Sequence, residues 1–159
     1  MAAWIFRLVA RDFYDATDTL NITPPNIQKA YFTTDALDEI ALEFDQPVLW
    51  PADTLGAHIE DYFYLDDRYG LVDTGYVAEP GNTVILRLSG RSLATQISYL
   101  PSVYYNETST VYEGPWLRNT RGVGALSFYR FDLYEVPDGV LATMAVYAKA
   151  GQPSPLALE

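Results

Sequence analysis

His58 is the only histidine of the chain, and it stands in Gly56-Ala57-His58-Ile59-Glu60. One imidazole excludes a multi-histidine metal centre and leaves one base for a Ser-His-Asp arrangement. No G-x-S-x-G elbow accompanies it. The plainer reading of His58 is a strand-end histidine on the surface; the sharper one is a hydrolytic site around it that matches no known pattern. With no cysteine there is no disulfide, no thiol nucleophile and no thiolate metal site. Glu60, Asp61, Asp66, Asp67 and Asp73 offer the hard oxygen donors that calcium takes, but without EF-hand spacing, and a solvated face with a turn accounts for them. Paired carboxylates for glycoside hydrolysis are available by number alone, and spacing does not set their separation. Gly122-Val123-Gly124 is too short for a phosphate loop and reads as a tight turn. No catalytic residue, metal or cofactor is assigned from these residues.

Aromatic residues give the stronger signal. The chain holds 3 Trp, 13 Tyr and 7 Phe, and Tyr104, Tyr105, Tyr112 and Trp116 gather in one segment that strand alternation does not explain. Ring faces of this kind stack on the apolar face of a sugar while neighbouring polar groups take its hydroxyls. Asn106, Glu107, Arg118 and Asn119 are placed to supply those contacts. The competing account is a sandwich core, which also buries Tyr and Trp.

The charge balance narrows the partners. Ten basic against 21 acidic side chains give a net charge of -11, which repels a phosphate backbone, so nucleic acid is excluded as a partner. No apolar run reaches the ~20 residues that span a bilayer, and no basic segment followed by an apolar one marks an export signal. No membrane contact is expected, and localisation stays open. A length of 159 residues fits one domain with a core that removes roughly two thirds of the unfolded surface from water.

The elements that must position these residues follow from periodicity. Trp4, Ile5, Leu8, Val9 and Phe13 share one helical face, so residues 1–16 are expected as an N-terminal helix. Residues 17–26, with Thr23-Pro24-Pro25-Asn26, read as an extended linker. The period then changes to two. Ile40, Leu42 and Phe44 alternate with Glu39, Ala41, Glu43 and Asp45; Val84, Leu86 and Leu88 alternate with Thr83, Ile85, Arg87 and Ser89. Further strands are predicted at 27–33, 58–65, 71–78, 95–100, 124–136 and 140–149. Turns fall at Glu79-Pro80-Gly81-Asn82 and Val136-Pro137-Asp138-Gly139. Residues 27–149 should therefore form an antiparallel β-sandwich, jelly-roll-like or Ig-like, with residues 150–159 as a tail.

Two stretches carry a family resemblance. Arg7-Leu8-Val9-Ala10-Arg11-Asp12-Phe13-Tyr14 followed by Pro24-Pro25 is the first. The second comprises Gly81-Asn82-Thr83-Val84-Ile85-Leu86-Arg87-Leu88-Ser89-Gly90, Thr95-Gln96-Ile97-Ser98-Tyr99-Leu100 and Gly122-Val123-Gly124-Ala125-Leu126-Ser127-Phe128-Tyr129. Together they resemble the C-terminal portion of sialate O-acetylesterase-like proteins, carbohydrate esterases of the SGNH-hydrolase type, from about Ile5 to Val136. The resemblance implies that the helix corresponds to the last one of a hydrolase domain whose reactive part lies upstream of Met1. That family places its nucleophilic serine early in the hydrolase domain and a D-x-x-H pair just before the last helix. No D-x-x-H exists here, and His58 follows the helix, so no catalytic residue carries over.

Two functions remain in competition. One is a noncatalytic accessory module of a carbohydrate esterase, binding glycan through Tyr104, Tyr105, Tyr112, Trp116, Asn106 and Arg118 or packing on a catalytic domain, with a homodimer through the N-terminal helix as a further expectation. The other is a stand-alone carbohydrate-active hydrolase centred on His58.

Overall fold

The computed structural model describes residues 2–15, 17, 19–53, 58–101, 104–105, 108–109 and 114–135. It begins with helix α1 (Ala2–Tyr14), followed by strands β1 (Ile27–Phe32) and β2 (Glu39–Phe44). A 3-10 turn (Ile59–Tyr62) leads into β3 (Phe63–Leu65), then β4 (Val72–Ala78), β5 (Thr83–Leu88) and β6 (Gln96–Tyr99). The short strands β7 (Tyr104–Tyr105) and β8 (Thr108–Ser109) precede β9 (Phe128–Asp132).

Antiparallel pairing gives one sheet in the order β1-β2-β5-β4 and another in the order β3-β6-β9, with β7 and β8 as a separate pair. Lettered in chain order with β7 and β8 set aside, the seven main strands read A-B-E-D against C-F-G, the arrangement of an immunoglobulin-like sandwich. Of the two architectures expected, strand order selects the Ig-like one. One parallel bridge, Tyr31 to Tyr134, ties β1 to the chain just after β9; the Phe32 amide donates to the Tyr134 carbonyl at 2.9 Å.

The inward sets meet as the period of two requires. Ile40, Leu42, Val84 and Leu86 of the first sheet and Phe63, Leu65, Ile97 and Tyr99 of the second are buried together. The Phe63 ring stacks on that of Tyr99, with centroids 4.9 Å apart. Ala41 and Ile85, which alternation assigns to the outer face, are buried as well. The register explains this: Tyr31, Ala41, Ile85 and Tyr76 lie in one row across the sheet, so the two small or aliphatic central positions are flanked by tyrosines of the neighbouring strands.

Two expected strands are shorter than predicted. At 58–65 the chain makes the 3-10 turn before β3, because strict alternation would aim Asp61 inward with Ile59, Phe63 and Leu65. Winding one turn keeps Ile59 and Phe63 buried and leaves Asp61 exposed. At 124–136 only Phe128–Asp132 forms a strand, since the first residues pair elsewhere: the Ala125 amide donates to the Leu117 carbonyl at 2.8 Å and the Leu126 amide to that of Pro25 at 2.9 Å. The expected strand at 140–149, the turn at 136–139 and the tail lie outside the described residues.

Candidate functional site

The segment that carries Trp116 is held at one end of the sandwich. From Trp116 to Thr120 the side chains alternate exposed and buried: Trp116, Arg118 and Thr120 outward, Leu117 and Asn119 inward. An extended backbone puts alternate residues on one side, so the indole and the guanidinium share a face. Leu117 anchors the inner face, fully buried, and its amide donates to the Tyr99 hydroxyl at 2.9 Å. Burial pushes that hydroxyl's pKa well above the usual tyrosine value.

Asn119 is the second anchor. Its Nδ2 donates to Gln46 Oε1 at 3.0 Å and to the carbonyls of Asn21 at 2.7 Å and Thr23 at 3.2 Å. Its Oδ1 accepts the amides of Arg121 and Val123, both at 3.0 Å. This side chain is 0% exposed, so the expectation that Asn119 would meet a sugar hydroxyl is corrected. It satisfies buried backbone groups, which leaves no capacity for a ligand. The expected linker is tied down by the same amide, and Ile22 within it is buried.

Trp116 is 45% exposed. It borders a cleft of about 420 Å³ lined by Pro51 and Ala52 from the β2–β3 connection and by Pro115, Trp116, Arg118 and Gly122 from the β6–β9 connection. The Leu49 amide donates to the Arg118 carbonyl at 2.7 Å, which joins the two connections through their backbones. The Tyr62 hydroxyl donates to the Gly114 carbonyl at 2.6 Å, and Gly114 holds φ +93°, a conformation that disfavours any side chain. Indole, guanidinium and proline surfaces thus face a concavity whose backbone is fixed from beneath.

Other expected contributors are placed only in part. Tyr104 and Tyr105 form β7 in the same β6–β9 connection, antiparallel to β8, while Asn106, Glu107 and Tyr112 lie outside the described residues. Pro51 and Ala52 were missed by sequence reading, because they lie more than 60 residues from Trp116 in the chain and carry no chemical signal of their own.

His58 is 56% exposed at its side chain, and its Nδ1 lies 3.2 Å from Asp53 Oδ2. A base with an orienting acid is present, but among the described residues no hydroxyl is hydrogen-bonded to the ring, and its exposure is that of a surface residue. The acidic run disperses. Asp66 Oδ1 accepts the amides of Thr95 and Gln96, both at 3.1 Å, and Asp67 pairs with Arg130 at 2.6 Å.

No protein-family model matches the sequence, and no curated protein shows significant similarity to it. Among solved structures the chain is similar to a carbohydrate acetylesterase from Xanthomonas citri, with a TM-score of 0.44 and 19% identity over 76% of this chain and 25% of that one. The chain spans about a quarter of that protein's length.

Proposed function

We propose that this chain is a noncatalytic carbohydrate-binding module, accessory to a carbohydrate esterase, which takes a sugar ring in the cleft between the β2–β3 and β6–β9 connections. The observation that carries this reading is the shared outward face of Trp116 and Arg118 at the mouth of that cleft. In an Ig-like sandwich these connections, B–C and F–G in letters, meet at one end, and loops held by a rigid scaffold are where recognition residues concentrate. An indole supplies the stacking face and a guanidinium donates to ring hydroxyls, a division of labour that suits a neutral or acidic sugar. Tyr104, Tyr105, Tyr112 and Asn106 belong to the same connection and complete the proposed platform.

A single stacked ring in an open cleft supports only weak binding, with a Kd of about 1 mM corresponding to roughly 4 kcal/mol. Affinity electrophoresis in acetylated xylan, pectin and sialoglycan tests the proposal. Wild type should be retarded in at least one gel and Trp116→Ala in none; unretarded migration of both proteins in every gel leaves only a packing role beside a catalytic domain, and equal retardation of both removes Trp116 from the proposal.

The Asp53–His58 pair favours the second reading, a hydrolase in its own right. Hydrolysis of p-nitrophenyl acetate separates the two classes. The accessory reading expects the same background rate for wild type and His58→Ala, whereas an activity lost in the variant establishes the enzyme.

A further inference from the structure

We infer that Asp53, His58 and Glu60 form a binding site for a divalent transition-metal ion, with zinc as its best chemical match. One potential ligand atom from each of these residues lies within 4.8 Å of the other two. The separation of Asp53 Oδ2 from His58 Nδ1, 3.2 Å, is close to the edge of a tetrahedron around zinc, about 3.3 Å for bonds of about 2.0 Å. Glu60 adds an independent observation. Its Oε2 is shielded from solvent and has no hydrogen-bond partner among the described residues. A carboxylate oxygen withdrawn from water requires a donor or a cation, and among the described residues no side chain supplies either.

The local fold explains why the three groups converge. Ile59 is buried and fixes the 3-10 turn, and the Asp61 amide donates to the His58 carbonyl at 3.2 Å, so His58 and Glu60 are held on either side of an anchored residue. Asp53 enters from the chain directly after Pro51 and Ala52, two residues that line the cleft beside Trp116. A cation held here would fasten that wall of the cleft to the 3-10 turn. The site does not depend on the glycan reading, because metal uptake is measured without sugar.

The donor set selects the ion. Calcium takes six to eight oxygen ligands, whereas one imidazole nitrogen with two carboxylates suits zinc and leaves a fourth position open. Both Asp53 and His58 are about half exposed, so that position is open to water. In the bound state Nδ1 enters as neutral imidazole with its proton on Nε2, and any proton shared between His58 and Asp53 is released to solvent.

The test is zinc titration of the EDTA-treated chain by calorimetry, with competition by a chromophoric chelator. Wild type should take up one equivalent with a Kd in the micromolar range or tighter, unaffected by a large excess of calcium. His58→Ala and Glu60→Gln should each weaken uptake by about tenfold or more. Thermal melting adds a readout that distinguishes a metal ligand from a structural acid. Without metal, Glu60→Gln should melt at or above wild type, because it takes charge off a shielded oxygen that has no hydrogen-bond partner among the described residues; with zinc the order should reverse. Absence of saturable uptake up to about 1 mM zinc, or equal uptake in wild type and both variants, overturns the site. So does a metal-free Glu60→Gln protein that melts well below wild type.

Discussion

Asn119 Nδ2 donates to Gln46 Oε1 at 3.0 Å inside the sandwich, joining the chain after β2 to the connection that carries Trp116. The same amide holds two carbonyls of the N-terminal segment, so one buried side chain fixes three stretches of backbone. Replacing it with Ala strands those carbonyls and the amides of Arg121 and Val123. Asn119→Ala should lose about 2–4 kcal/mol, read as a lower midpoint in guanidinium chloride. A loss under about 0.5 kcal/mol would mean that water replaces the network without cost.

Gly75 of β4 sits beneath the Trp50 ring. A Cβ built there would lie 2.6 and 2.8 Å from two ring carbons, closer than atoms can approach. Trp50 has little freedom to withdraw, since its ring runs nearly parallel to that of Phe63, with centroids 6.3 Å apart. Gly75→Ala should therefore cost about 1–3 kcal/mol, and adding Trp50→Ala should make the pair of changes clearly non-additive. Simple additivity of the two would place the ring elsewhere in solution.

Alkaline stability should depend on two tyrosines. Burial, aided by the hydrogen bond to Glu43 and its charge, pushes the Tyr31 hydroxyl up to about 12, and burial raises that of Tyr99 further. An unfolded tyrosine ionises near pH 10, so the folded chain retains protons that the unfolded chain has lost. Their contribution is complete below pH 10 and declines as pH rises from about 10 through 12. Guanidinium midpoints measured across this range should fall, and Tyr31→Phe should show a shallower fall than wild type. Parallel curves would remove Tyr31 from the account.

The exposed stripe of α1 makes a concentration-dependent prediction. Ile5, Val9 and Phe13, spaced four residues apart on one helical face, are 45%, 38% and 78% exposed. We propose that in the isolated chain this stripe pairs with that of a second copy. Light scattering should detect a dimer that grows with concentration and disappears in Val9→Ser/Phe13→Ser; a monomer at all concentrations counts against it.

Much of the sandwich was legible because period-two alternation is a direct consequence of one buried sheet face. β1, β2, β4, β5 and β6 each lie within a residue or two of their predicted bounds. The 3-10 turn at Ile59–Tyr62 was not legible, since Ile59, Phe63 and Leu65 alternate as in a half-buried strand, and only the exposure of Asp61 between them shows that the chain winds a turn instead. Trp116 and Arg118 were singled out by residue type, and both border the cleft. Asn119 was assigned to the surface because Asn is usually polar surface, and only the carbonyls of Asn21 and Thr23, nearly a hundred residues away in the chain, reveal its buried role. The opposing wall of the cleft, Pro51 and Ala52, is likewise a product of tertiary packing that no local pattern announces.

The central claim is that a sugar ring stacks on Trp116 in the cleft between the two connections. A two-dimensional 1H–15N spectrum resolves one indole N–H signal for each of the 3 tryptophans, and titration with acetylated xylo-oligosaccharides, galacturonides and sialyl-oligosaccharides can be followed at each signal. The account predicts that at least one of these sugars shifts the Trp116 signal in a saturable way, with the Arg118 amide moving alongside it. A Trp116 signal that stays fixed to the highest sugar concentration in all three series would contradict it.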